Sequence, residues 1–214
     1  SETGLAARDQ IVKIGRDGAA ASRAQGIEEA VDTVSLSVAP SVDVPKPRAY
    51  LTSSSCGICS AEVIEATPRP RAMLQTEGWQ LTPHGAHVWL EAMRGEQKMF
   101  ELTGSLHAAA IVSPNGILQV VREDVGRHNA VDKVIGSAFL SEDYPLTDHT
   151  LVVSGRVSYE IVAKALRACL AAIVAVSGPT TLAVDLARAH GLVLVGFTRD
   201  DRLNVYAGGD RVAQ

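Results

Sequence analysis

Two thiols sit close together in a loop of small side chains, Ser53-Ser54-Ser55-Cys56-Gly57-Ile58-Cys59-Ser60. A Cys-x-x-Cys pair can close a disulfide, share a metal or pass a sulfur atom. Each needs reactive thiolates, and the serines and glycine offer hydroxyls and backbone N–H groups with little bulk to block a partner's sulfur. The sequence holds one further cysteine, Cys169. It falls at helical spacing from Ile161 and Ala165, which predicts core filling rather than chemistry. Cys56 and Cys59 therefore carry the thiol chemistry, with an inert small-residue loop as the plain alternative.

His84-Gly85-Ala86-His87 completes a count of two cysteines and two histidines. Structural zinc prefers about three to five residues between its histidines, and this spacing is shorter. With Val88-Trp89-Leu90 behind it, the segment reads as the start of an amphipathic helix, and no metal site is expected. A thioredoxin-like motif is also disfavoured, because no clear buried strand precedes the pair and no convincing helix opens from it.

Anionic ligands have a different set of candidates. Neither Gly-x-x-x-x-Gly-Lys-[Ser/Thr] nor Gly-x-Gly-x-x-Gly is present. Instead Val125-Gly126-Arg127-His128, Ser154-Gly155-Arg156 and Ser177-Gly178-Pro179-Thr180 each read as a strand end entering a helix. In an open parallel sheet such turns line one crevice, where amide N–H groups and helix dipoles favour negative charge. Arg127, Arg156, Arg199 and Arg202 add guanidinium donors suited to phosphate. Ordinary capping beside solvated arginines explains any single turn; recurrence at equivalent strand ends points to a phosphate-bearing ligand. The stretch Arg122 to Lys133 is dense in functional groups. Glu123 and Asp124 are placed to orient Arg127 or His128, and His128 to exchange protons near neutral pH. A salt-bridged helix start is the alternative. His107, at the mouth of a hairpin, reads as a structural group.

The elements that must position these residues follow from periodicity. Ile11–Ile14 and Val31–Val38 predict strands, with a polar, alanine- and glycine-rich loop over Gly15–Gly26. Thr82 is a candidate N-cap, with Pro83 in the first turn of a helix to about Phe100. Ala108–Val112 and Ile117–Val121 flank Ser113-Pro114-Asn115-Gly116, a strong hairpin signal. A helix over His128–Leu140 follows. Short apolar strands at Leu151–Val153, Ile173–Val176 and Leu192–Gly196 then alternate with helices through Leu170 and His190, and Leu203–Tyr206 is a short last strand. This grammar predicts an α/β protein with a mostly parallel or mixed sheet and helices on both faces. The expected division is a less regular, strand-rich part over 1–100, carrying the cysteine loop and a connecting helix, and an α/β domain over 101–214.

Composition narrows the classes. With 214 residues, 46% of them hydrophobic, the chain can bury a sizeable core. A formal charge of -4 argues against nucleic-acid binding driven by net basic charge. No apolar run approaches the roughly 20 residues needed to span a bilayer, so no membrane is expected. Three cysteines in a chain of this size favour a reducing, cytoplasmic setting. The chain opens on Ser1, and the expectation is a trimmed chain or one lacking a segment ahead of that residue.

Six segments together resemble the formate dehydrogenase accessory sulfurtransferase (FdhD) family: Ser54–Cys59, Thr103–Ala109, Arg122–Lys133, Ser154–Glu160, Ser177–Thr180 and Gly196–Arg199. They run in the family's order over about three quarters of the chain, far more specific than any lone Cys-x-x-Cys. The resemblance implies a cytoplasmic sulfurtransferase that accepts persulfide sulfur from a cysteine desulfurase. It passes that sulfur to the molybdenum cofactor, in its molybdopterin guanine dinucleotide form, for formate dehydrogenase. By this match Cys56 is the persulfide carrier and Cys59 assists or relays. Phe197, Thr198, Arg199, Asp200, Asp201 and Arg202 match the segment for the guanine dinucleotide cofactor. A homodimer and a cytidine-deaminase-like fold are implied as well. Deamination itself is not: His107-Ala108-Ala109 and Ser154–Ser158 lack the glutamate and cysteines that zinc deaminases require. The resemblance implies a further strand-rich segment at the start of family members, and Ser1-Glu2-Thr3-Gly4-Leu5 matches the junction that follows it. A cofactor-holding chaperone without sulfur chemistry is the alternative function.

Overall fold

The computed structural model describes residues 11–24, 27–42, 79–141, 143–200 and 202–213. The chain divides into two compact units, Ser1–Pro68 and Arg69–Gln214. In the first, β1 (Ile11–Ala24) pairs antiparallel with β2 (Ile27–Val38), from Ile11 opposite Val38 to Ala24 opposite Ile27. The stretch expected to be a polar loop is thus strand as far as Ala24. Glycine and alanine there give no alternating signal, and an irregularity between Asp17 and Ala20 absorbs the mismatch in register.

The second unit is built on a six-stranded sheet. Its strands are β3 (His107–Val112), β4 (Leu118–Asp124), β5 (Thr150–Val153), β6 (Ala172–Ala175), β7 (Val193–Arg199) and β8 (Arg202–Ala207), in the order β4-β3-β5-β6-β7-β8. β5, β6 and β7 are parallel, and the other pairings are antiparallel. The sheet is therefore mixed, and the α/β class stands. Among the described residues no helix is long and apolar enough to cross a membrane.

Strand alternation sorts the core into two layers. Ala108, Ala110, Val112, Val152, Val174 and Val195 face α1 (Pro83–Gly95), which buries Ala86, Leu90 and Met93 against them. Ala109, Ile111, Leu151, Ile173 and Leu194, all fully buried, point the other way. The helices after β4, β5 and β6 are α3 (Arg127–Leu140), α4 (Tyr159–Arg167) and α5 (Thr181–Ala189). Helix α1, grouped by the sequence reading with the N-terminal part, packs here on the sheet.

Local chemistry sets the helix ends. Thr82 Oγ1 accepts the Gly85 N–H at 3.0 Å with Pro83 in the first turn, as its sequence predicts. The expected single helix to Phe100 instead breaks: α1 ends at Gly95, and α2 (Lys98–Thr103) starts anew after Gln97. The Glu123 carboxylate makes this second start possible, accepting the N–H groups of Met99 at 2.9 Å and Phe100 at 2.7 Å. Helix α4 stops at Arg167, earlier than expected, in a Schellman turn. Leu170 N–H donates to Ala165 O at 3.0 Å and Cys169 N–H to Leu166 O at 3.1 Å, with Cys169 at φ 62. α5 ends in the same motif with Gly191 at that place, φ 67.

Candidate functional site

The carboxyl ends of β5, β6 and β7 lie at one edge of the sheet, and the start of antiparallel β3 joins them. Ser154 N–H donates to Ala108 O at 3.0 Å, and Ala108 N–H to Ser154 Oγ at 2.8 Å. The turns after β5 and β6 are stitched together: Val157 N–H donates to Gly178 O at 3.3 Å and Thr180 N–H to Val157 O at 2.9 Å. A Cβ on Gly155 would lie 3.2 Å from His107 Nδ1 and 3.8 Å from Arg127 Cδ, so β3, α3 and the β5–α4 turn meet there. The Ser-Gly turns read from sequence do converge.

His128, at the start of α3, reaches across this edge. Its Nε2 lies 2.8 Å from Ser158 Oγ and 3.3 Å from Glu160 Oε2. Ser158 is the N-cap residue of α4, yet its hydroxyl makes no capping bond. Burial pushes the His128 pKa down to about 4; the cations Arg127 and Lys164 and nearby His107 add to this, against the pull of Asp132. The Glu160 carboxylate favours the imidazolium, but desolvation and the two cations outweigh it. His128 is therefore neutral near pH 7 and not poised to titrate there, which corrects the sequence expectation. Nor do Glu123 and Asp124 orient it. Glu123 is committed to α2, while Asp124 pairs with Lys133 at 2.6 Å and accepts the Gly126 N–H at 2.9 Å and Asn129 Nδ2 at 3.1 Å. The Lys133 ammonium holds the Asp124 carboxyl below its ordinary range.

Of the segment matched to the guanine dinucleotide, Phe197–Asp200 and Arg202 fall at the tip of the β7–β8 hairpin, where the pairing is irregular between Gly196 and Arg199. Phe197 and Asp200 both sit at φ 50, a conformation that re-aims their side chains. The Phe197 ring rests against Gly178, and Gly196 lies so close to Ser177 O that a Cβ would approach within 2.7 Å. Only glycine permits that packing of the hairpin on the β6–α5 turn. Thr198 is buried, and its Oγ1 has no hydrogen-bond partner. Arg199 is 87% exposed, its Nε 3.5 Å from Asp200 Oδ2, and Arg202 is also exposed. Two solvent-facing guanidinium groups on one hairpin suit a phosphate-bearing ligand. Asp201, Cys56 and Cys59 lie outside the described residues.

Beside this edge opens a cavity of about 500 Å³ lined by Arg94, Gln97, Phe100, His107, Ser154 and Val176 among others. Sequence reading missed Arg94 and Gln97, whose placement depends on the break between α1 and α2. His107, read from sequence as a structural group, lines the cavity. The remaining thiol in the described residues stands apart. Cys169 follows α4 and precedes β6, at the amino end of the strands. Burial pushes its thiol pKa up, which keeps it a poor nucleophile at neutral pH. Its left-handed backbone and partial exposure correct the core-filling expectation.

Fold and site thus define an α/β protein with a mixed sheet whose Ser-Gly turns meet at the carboxyl ends of its parallel strands. The chain belongs to the FdhD/NarQ family, whose model matches residues 5–213. It is 44% identical over 187 residues to the sulfur carrier protein FdhD of Streptomyces coelicolor, covering 85% of this chain and 66% of that protein. The sulfur carrier protein FdhD of Saccharolobus solfataricus is 37% identical over 165 residues, covering 77% of this chain and 62% of the relative. Among solved structures, a formate dehydrogenase accessory protein from Desulfotalea psychrophila superimposes with a TM-score of 0.60 at 29% identity, covering 67% of this chain and 62% of that one. The chain therefore spans roughly two thirds of the length of the curated relatives it matches.

Proposed function

We propose that this chain is a cytoplasmic sulfur carrier that serves formate dehydrogenase. Cys56 accepts the sulfur as a persulfide from a cysteine desulfurase, with Cys59 assisting or relaying. The Cys56 thiolate attacks the terminal sulfur of the donor's persulfide, a new S–S bond forms as the donor's breaks, and the donor leaves as a thiolate. The acceptor is the molybdenum cofactor in its bis-molybdopterin guanine dinucleotide form, bound as substrate before its insertion into formate dehydrogenase. Phe197, Thr198, Arg199, Asp200, Asp201 and Arg202 hold its nucleotide end, and two copies of the chain form the working particle.

The observation that carries this reading is the hairpin tip at the strand-end crevice. Arg199 and Arg202 present their charges to solvent in the segment matched to the guanine dinucleotide, next in sequence to Thr198, whose buried hydroxyl has no hydrogen-bond partner. The position and protonated state of Cys169 support leaving the sulfur chemistry to the other two thiols. Formate dehydrogenase activity tests the reading in cells lacking the endogenous carrier. Wild type restores the activity, and Cys56→Ala does not. Full activity with Cys56 and Cys59 both changed to alanine would leave a cofactor-holding role without sulfur transfer.

A further inference from the structure

We propose that His128 is a positioning residue for the β7–β8 tip. As the Nε2–H tautomer it holds the start of α4, and through it the two joined turns on which the Phe197 ring rests. Its effect on ligand binding rests on the reading of that tip as a phosphate site; the positioning itself belongs to the ligand-free chain.

The tautomer follows from the two oxygens that Nε2 faces. Ser158 Oγ lies 2.8 Å away and Glu160 Oε2 3.3 Å. A bare Nε2 can accept the serine hydroxyl, but it sets a lone pair against the carboxylate, which only accepts. With the proton on Nε2, one N–H serves the hydroxyl and the carboxylate together. The imidazole is neutral near pH 7, so it carries a single N–H, and Nε2 is where the geometry uses it.

This bond takes the place of a cap. Ser158 is buried at the N-cap of α4, yet its hydroxyl makes no bond to the helix's own first N–H groups. It is given to α3 instead. One turn further along both helices, Lys164 Nζ bonds Asp132 Oδ2, but Asp132 is 56% exposed, and an ion pair at the surface holds little. The half-buried His128 contact is the one that fixes α4 to α3.

From Ser158 the contacts continue to the tip. The neighbouring Val157 N–H donates to Gly178 O at 3.3 Å, and Thr180 N–H to Val157 O at 2.9 Å. Gly178 carries the Phe197 ring, and Ser177 O packs against Gly196. Val157 is fully buried, so a shift at Ser158 is passed to the surface beneath the ring rather than absorbed.

Nitrogen-15 NMR of the full chain tests the tautomer: Nε2 resonates as a protonated nitrogen and Nδ1 as a bare one, and the reverse overturns the inference. In the ligand-free chain, His128→Ala and Ser158→Ala each shift the Gly178 amide and weaken its contact with the Phe197 ring protons. His128→Gln, whose amide N–H stands where Nε2–H stood, keeps both signals, and His128→Asn does not. Unchanged signals in Ser158→Ala and His128→Ala overturn the inference. Guanosine diphosphate is then titrated into His128→Ala, Gly178→Ala and the double variant. Each single change lowers affinity several-fold, and the double lowers it no further than the worse single, because both act on one contact. Losses that multiply separate His128 from the tip and overturn the inference. If Arg199→Ala leaves the diphosphate affinity unchanged, the phosphate reading fails, and the NMR comparison alone decides the positioning.

Discussion

Gly178 and Phe197 are in contact across the β6–α5 turn: a Cβ built on Gly178 would lie 2.8 Å from both Cε2 and Cζ of the Phe197 ring. The contact fixes the hairpin tip against a strand-end turn, Gly178 belonging to the β6–α5 turn and Phe197 to β7. Phe197 is 55% exposed and held at φ 50, so its ring lies on the surface rather than in the core.

Gly178→Ala should therefore displace the ring and with it the hairpin tip. Because the ring is half exposed, the stability cost is small, about 1 kcal/mol or less. Guanosine diphosphate affinity should fall several-fold, measured by calorimetric titration. Unchanged affinity would detach the tip from ligand binding.

His128 makes a pH prediction with a definite sign. Its folded pKa lies near 4 against an ordinary 6.5, so the unfolded chain binds a proton that the folded chain does not. Its contribution to stability is complete above pH 6.5 and is lost as pH falls toward 4. The loss is on the order of 1–3 kcal/mol. Urea unfolding across that window should show the slope in wild type and a flatter profile in His128→Gln. Asp124 acts lower, as pH falls through its unfolded value of 3.8. Equal slopes in the two proteins would mean that Glu160 compensates the burial of the imidazole.

Much of the second unit was legible in sequence because its information is local. Leu151–Val153 and Ile173–Val176 are continuous apolar runs, which a parallel strand buried on both faces requires. Thr82-Pro83 announced a helix start, and Ser113–Gly116 a hairpin. The missed features depend on contacts far along the chain. The break between α1 and α2 is supported by Glu123, 24 residues from Met99. The hydroxyl partner of His128 is Ser158, 30 residues away, whereas its neighbours in sequence point to Glu123 and Asp124. Cys169 sits on the expected helical face by spacing, but the Schellman turn ends the helix before reaching it. The thiol pair and the arginine turns could be named from sequence; the cavity beside them could not.

That turn gives a stability prediction. Cys169 occupies a left-handed position that Gly191 fills at the end of α5. Cys169→Gly should relieve backbone strain and stabilise the protein by about 1 kcal/mol, read from chemical unfolding. Cys169→Ala, which keeps the Cβ, should give no such gain. Because burial keeps this thiol protonated, neither change should alter sulfur loading. A loss of loading in Cys169→Gly would bring this thiol into the relay.

Whether position 56 carries the sulfur is read from intact-protein and peptide mass spectrometry after incubation with a cysteine desulfurase and cysteine. The expected result is an added mass of about 32 Da, one sulfur atom, on the peptide containing Cys56, removed by a reductant and absent in Cys56→Ala. Equal labelling of wild type and Cys56→Ala, or no labelling of either, would contradict it.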